Sequence, residues 1–494
     1  MRMRTVRGIE GDRWHMSDQK DSGTGFRPAG APAQTSADAG VSRRGVLRAA
    51  GAGAVAVGGT GLLAACSSGI KGNTGGSTST TGSSSNTTGS TKPITIAFIH
   101  PLTGDLGEFG TSDNWVLQQI LATSQFKNGI KVGGKTYPIQ ITSYDTQSDA
   151  TRAGQLASQA ILTDNVDMIV TSSTPETVVP VATTAEKLGT PCIAGNVPWQ
   201  AWYSNLGGNP TPGKSTFKPK WNTVYFLGVN DLAGAFIPMW NRIRAVTGAD
   251  KVCGCAFPND DDGNAFRAAW PIFAKAAGYT LVDPPAYTDG NTQYASMIDL
   301  FKSSDCDFFT NGPLPPDFNA MWKQSAQLGF KPKLATVAKV LLFPTDVEAL
   351  GPLVNNVATD AWWTPNMPWT SSLTGQTCQA LATAFTAATG SAWVQSLSNY
   401  SLFEAAYAAF TAASDPHDKA DVANAMFNVN ITGIAGELNW TSSKNPAPGV
   451  VDTPAVGVQW KADSSAKVGY SMFVVDNTLM RNVPLTGDLE PTNQ

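Results

Sequence analysis

The sequence predicts an α/β protein built as two doubly wound, parallel-sheet lobes that face each other. Three observations carry this reading. Short β-branched runs alternate with amphipathic helical stretches from Pro93 onward. The same rhythm restarts near Lys251. The 429 residues from position 66 to 494 are too many for one hydrophobic core and suit two domains of ordinary size.

In the first repeat ITIAFI is followed by a predicted helix over 112–128, then PIQITSY, a helix over 149–162, and DMIV. Val116, Leu117, Ile120 and Leu121 share one face of the first helix, and Gly129 stands where a left-handed C-terminal cap is expected. Ala153, Leu156, Ala157, Ala160 and Ile161 share a face of the second. The second repeat runs VCGCAF, a helix over 264–277, YTLVD, a short helix around Met297, DFFTNG, and a helix over 318–328. Asp317 is expected to cap that last helix and Gly329 to end it. In doubly wound sheets ligands sit beyond the carboxyl ends of the strands. The loops of interest are therefore HPLTGDLGEFG, DTQSD, TSSTPET, AGNVPWQAWY, PNDDDGN, NGPLPPD and the segment around Lys339.

Upstream of the first strand, SRRGVLRAAGAGAVAVGGTGLLAAC places Arg43 and Arg44 in a twin-arginine pattern before a Gly/Ala-rich apolar run of seventeen residues. That run is too short and too weakly apolar for a membrane span, and the small residues before Cys66 match a lipoprotein cleavage site. Residues 1–65 read as an export signal, and Cys66 as the lipidated first residue of a chain anchored to the outer face of the cytoplasmic membrane. The Gly/Ser/Thr-rich stretch that follows, to residue 92, reads as a flexible tether.

Taking the nine basic and five acidic residues of 1–65 from the totals of 34 and 38 leaves 25 against 33, a net charge of −8 that disfavours a nucleic-acid partner. Five cysteines remain after Cys66. Cys253 and Cys255 point to one face of a strand and Cys306 opens the next one, an arrangement compatible with a Cys253–Cys306 disulfide or with buried free thiols. A lone CxC without a nearby histidine lacks the ligands of a metal site. The acidic run 259–262 lacks the spaced acids and closing glutamate of a calcium loop, and reads as a solvated turn. His15 falls in the export signal, while His100 and His417 stand beside no nucleophile motif; His100 reads as a cleft-edge or buried hydrogen-bonding residue. Neither catalysis nor a cofactor or metal is expected.

The segments IAFIHPLTGDLGEFG, YDTQSDATRAGQLASQAI with Asp145, DMIVTSSTPETVVPVA, DDDGNAF, NGPLPPDFNAMWKQSAQLGF, AGELNW and VGVQW, in this order, resemble the leucine/isoleucine/valine-binding family, the type I periplasmic substrate-binding proteins of ABC importers. The likeness covers about residues 93–475. It implies two lobes joined by three hinge crossings, with a small ligand held in the cleft and passed to a membrane permease. The crossings are expected at 223–229, 362–366 and 453–459. Lobe 1 is then 93–225 plus 365–453, and lobe 2 is 226–364 plus 454–494. A ligand sensor with the same bilobed fold is the alternative.

Ser172, Ser173 and Thr174 precede a helix whose first turn tolerates Pro180, so backbone NH groups and hydroxyls converge there. The family uses this cluster for the ligand carboxylate; plain N-capping is the other reading. The resemblance further implies ligand contacts from Asn196, Val197 and Trp199, and an aromatic cover from Phe109. At three places the chain departs from the family. Asp262, and Leu314 or Pro315, stand where it carries tyrosines, and Ala338 stands where an acid meets the ligand ammonium, with Lys339 beside it. A cation there would repel an ammonium, although Asp262 can itself pair with one, so amino acids and amino-free carboxylates both remain candidate ligands. Two aromatic groups, Trp199, Trp202, Tyr203 and Trp221, and Trp362, Trp363 and Trp369, are either stacking faces for a flat ligand or packing near the hinge.

Overall fold

A computed structural model describes residues 91–211 and 213–492. The export signal, Cys66 and nearly all of the tether lie outside the described residues. Strand β1 (Ile94–His100) is buried at all but one position, the near-continuous apolar run required of a parallel strand covered on both faces. A small hairpin, β2 (Ile130–Val132) and β3 (Lys135–Tyr137), precedes β4 (Ile139–Asp145), β5 (Met168–Ser172), β6 (Cys192–Gly195) and β7 (Asn222–Tyr225). These form a parallel sheet in the order β4-β1-β5-β6-β7.

The helix expected over 112–128 is two helices, Asp113–Ala122 and Ser124–Lys127. Thr123 adopts an extended backbone between them and its hydroxyl accepts from the Phe126 NH, capping the second piece. The break leaves Leu121 40 % exposed, off the buried face that Val116 and Ile120 keep. Helix Ala150–Leu162 is capped by Asp149, and all five of its predicted core residues are buried. In helix Pro175–Leu188 the residue at the first helical position is Pro175; Pro180 lies beyond the first turn.

The second lobe repeats the pattern with β8 (Val252–Ala256), β9 (Thr280–Val282), β10 (Phe308–Asn311), β11 (Leu334–Val337) and β12 (Ala358–Ala361), parallel in the order β12-β11-β10-β8-β9. Helix Asp261–Ala276 starts earlier than expected because the Asp260 carboxylate caps it, accepting from the Gly263 NH at 2.6 Å. Asp317 is not a cap: helix Pro315–Leu328 begins after Leu314, and the Asp317 carboxylate accepts from the Gly290 NH of a neighbouring loop. Gly329 does end that helix, in the left-handed conformation.

The chain then returns to the first sheet. Helix Tyr400–Ala412 packs on β5 and β6, and a hairpin of β13 (Asn430–Gly433) and β14 (Gly436–Asn439) leads to β15 (Val450–Val451), which adds in parallel beside β7. Last, β16 (Val456–Ala462) and β17 (Tyr470–Asp476) extend the second sheet at β12 in antiparallel fashion, so this sheet is mixed where the sequence suggested parallel strands alone. The chain thus passes between the sheets three times, at 226–228, 362–377 and 452–455.

All five described cysteines are free, buried thiols. Cys253 and Cys255 pack into the large core cluster, whereas Cys306 packs into the cluster that holds Phe301 and Phe309. Cys306, just before β10, thus packs in a different cluster from the two cysteines of β8, and the disulfide alternative does not form.

Candidate ligand-binding cleft

The loops following β1 and β5 meet those following β8 and β11 across the space between the sheets. Phe109 of the first lobe packs edge-on against Phe343 of the second at 5.0 Å between ring centres, and Thr345 donates its hydroxyl to Glu108. The strongest link is ionic. Two residues past β11, Lys339 sits at φ 68°, a conformation that a residue with a side chain adopts only where its surroundings hold it. Its Nζ lies 2.6 Å from Glu176 Oε1, 2.9 Å from Asp262 Oδ2 and 3.2 Å from Asp260 Oδ2. Glu176 belongs to the first turn of helix Pro175–Leu188 in the opposite lobe, where the helix dipole favours an acid.

Burial pulls Lys339 toward the neutral amine, but Asp262, Glu176 and Asp260 outweigh it and hold its pKa well above the ordinary value. Burial likewise acts on Glu176, and there the ammonium wins, keeping that carboxylate below its usual range. For Asp262 burial dominates and raises the carboxyl to about 7. Lys339 is therefore not the unopposed cation considered from the sequence; three carboxylates surround it. Nor is the acidic run a solvated turn, because Asp262 is 3 % exposed and only Asn259 and Asp261 face water.

Beside this cluster, at the root of the cleft, lies a cavity of about 40 Å³. Phe109, Thr174, Asn196, Asp262 and Lys339, all singled out from sequence, line it. Asn196 also has positive φ, 55°. The other predicted residues stand behind the wall. The Ser172 hydroxyl donates to Asn399 Oδ1 at 2.7 Å, and Asn399 in turn donates to Asp113, whose other oxygen meets His100 Nδ1 at 2.7 Å. His100 is thus a buried hydrogen-bonding residue within this network. Ser173 is buried with its hydroxyl unpartnered, Val197 and Trp199 belong to the core around Trp202, and Leu314 packs against the main core. Of the aromatic groups noted from sequence, only Trp362 reaches the cavity; its indole donates to Ser398 Oγ and lies edge-on to Phe226.

Asp360 and Glu176 escaped the sequence reading. Asp360 is the one acid in the apolar stretch VATDAWW, directly before the second crossing, and an acid at a buried strand position is the signal that marks it. It lines the cavity at 3 % exposure, and burial pushes its carboxyl to about 7.

Residues 93–465 match the family model described as periplasmic binding protein. The chain belongs to the periplasmic binding protein family. Solved structures agree on the fold. The leucine-binding protein LivK of Thermotoga maritima shares 17 % identity over 77 % of this chain and 97 % of its own, with a TM-score of 0.61. LivJ of Streptococcus pneumoniae, solved with isoleucine, shares 13 % over 81 % and 99 %, with a TM-score of 0.60. A solute-binding protein of an ABC transporter from Rhodopseudomonas palustris, solved with 3,4-dihydroxybenzoic acid, shares 15 % over 77 % and 95 %, with a TM-score of 0.59. One of these holds an amino acid and another an aromatic acid, so the periplasmic binding protein fold does not itself select the ligand. Selection in this periplasmic binding protein falls to the residues lining the cleft.

Proposed function

We propose that this periplasmic binding protein captures a small organic solute, an amino acid, amide or related carboxylate, by closure of its lobes and delivers it to the permease of an ABC importer. The observation that supports this best is that side chains from both lobes, Glu176 and Phe109 on one side and Lys339, Asp262 and Phe343 on the other, converge on one buried cluster. A solute touching both lobes shifts the open and closed populations by its differential affinity for the two, and the importer reads the closed form. No bond in the solute is broken. Thr174, which lines the cavity at the start of helix Pro175–Leu188, is the proposed seat for its polar or anionic end. Lys339 neutralises Glu176 in that first turn and so leaves the seat receptive. Export through the signal in 1–65, lipid on Cys66 and the tether that follows would hold the protein at the outer face of the cytoplasmic membrane, beside its permease.

The test is thermal unfolding of the purified protein against branched and polar amino acids, amides, urea, and amino-free aromatic and aliphatic carboxylates. A true solute at a hundred times its dissociation constant adds about 2.7 kcal/mol of stability. Absence of any shift across the panel, together with unchanged uptake of all its members in cells lacking the gene, would reject the proposal.

A further inference from the structure

Residues Gln395–Asn399, with the sequence QSLSN, form a short 3-10 turn whose four polar side chains are at most 1 % exposed. Taking polar groups out of water is unfavourable unless each finds a hydrogen bond, and here each does. Gln395 Oε1 accepts from the Trp362 backbone NH at 3.0 Å, and its Nε2 donates to the Asp360 carbonyl at 3.2 Å. The Ser396 hydroxyl meets that of Ser112 at 2.9 Å. Ser398 Oγ accepts from the Trp362 indole at 3.1 Å. Asn399 Oδ1 accepts from Ser172 Oγ at 2.7 Å and from Asn196 Nδ2 at 2.9 Å, while Asn399 Nδ2 donates to Asp113 Oδ1 at 2.7 Å. One turn thus holds the second crossing, through Trp362, and two loops of the first lobe, through Ser172 and Asn196. Trp362 and Asn196 line the cavity; Asn399 and Asp113 stand behind it, both 0 % exposed.

This network has a direction. A carboxylate accepts and does not donate, so Asp113 obliges Asn399 to turn its amide nitrogen toward it and to offer its oxygen to the cleft loops. That oxygen then takes one proton from Ser172 and one from Asn196. Asn196 needs such a hold, because it sits at φ 55°, a left-handed conformation that residues with a side chain adopt at a cost. His100 Nδ1, 2.7 Å from the other Asp113 oxygen, closes the far end of the chain of bonds.

We infer that Asp113 and Asn399 are positioning residues of the solute cleft: without touching the solute, they fix Asn196 and the Ser172 loop on the turn that also anchors Trp362. The wall is then set before the solute arrives. A wall already ordered spares the complex the entropy of ordering it, which strengthens binding whatever the solute's chemistry. The inference rests on the solute-binding reading and adds two residues to the machinery of that site.

Hydrogen exchange of the purified protein at pH 8, read by mass spectrometry with no solute present, tests the positioning. Asn399→Asp sets two carboxylates face to face. Adding Asp113→Asn reverses the direction of the pair and restores its bonds: the new amide donates to the new carboxylate and accepts from His100, and the new carboxylate still accepts from Ser172 and Asn196. The expected result for Asn399→Asp is about tenfold faster exchange at 170–174 and 194–199, with helix Ala150–Leu162 of the same lobe unchanged. The double variant is expected to return to within about twofold of the parent. Calorimetric titration with L-isoleucine and 3,4-dihydroxybenzoate reads the consequence for binding: a probe that binds the parent loses about tenfold in affinity in the single variant and regains it in the double. Unchanged exchange at the two loops, a rise shared equally by helix Ala150–Leu162, a double variant no better than the single one, or a bound probe indifferent to both changes overturns the inference. If Asn399→Asp does not fold, recovery of the fold on adding Asp113→Asn is the same rescue, and failure of both variants to fold overturns it. If neither probe binds, exchange alone decides the positioning, while the solute-binding reading stands or falls with the wider panel.

Discussion

Asp360 ties the stability of the fold to a single proton. Its carboxyl titrates at about 7 in the folded chain, against an ordinary value of 3.8. Below pH 3.8 both folded and unfolded chains hold the proton, and the group is neutral toward stability. Between 3.8 and about 7 only the unfolded chain releases it, so stability falls as pH rises, and above 7 the loss is constant at on the order of 4 kcal/mol. Asp360→Asn is accordingly expected to unfold at a higher temperature than the parent at pH 8 and to match it near pH 4; equal midpoints at pH 8 would contradict this. The sequence singled out Lys339 as a departure from the family, yet its partners were hidden. Asp260 and Asp262 follow β8 and Glu176 follows β5, and only folding brings these separated positions around one ammonium. Ser172 shows the converse. Its position in TSSTPET is legible, but its hydroxyl is committed to Asn399, more than two hundred residues away.

At the level of elements, signals carried by neighbouring residues were readable and those depending on distant contacts were not. Gly329 ends its helix as the local sequence indicates, because it acts on backbone within one turn. Thr123 broke an amphipathic pattern that periodicity alone would continue, and Asp317 was drawn away from its helix by the Gly290 NH. The first crossing has a requirement that no periodicity shows. A Cβ on Gly228 would stand 2.3 Å from Trp199 Nε1, 2.4 Å from Asn230 Oδ1 and 2.5 Å from Gln200 Nε2. Two of those groups end flexible side chains, but the Trp199 indole is wedged in the core. Gly228→Ala is expected to cost about 1–3 kcal/mol in urea unfolding, because overpacking at a fixed ring forces the backbone to move. A variant within experimental error of the parent would show that the indole yields.

For the whole molecule, the alternation of strands and helices and its restart near Lys251 sufficed to foresee two doubly wound lobes. The antiparallel pair β16 and β17 was not foreseen, because an edge strand of either direction carries the same apolar pattern. Lys339 and Glu176 tie the two lobes across the cleft by an ion pair of 2.6 Å. Glu176→Gln keeps the side-chain shape and removes the charge, so the expected outcome is a larger radius of gyration by small-angle X-ray scattering in the solute-free protein, reversed by a saturating solute. An unchanged radius would mean that the ion pair does not govern closure. The buried sulfurs add a built-in clock. Cys192 lies within β6 of one lobe and Cys253 and Cys255 within β8 of the other, all shielded from solvent. An alkylating reagent reaches each only when its own sheet comes apart, so consumption of these thiols times the breathing of the two halves separately, without a label having to be introduced.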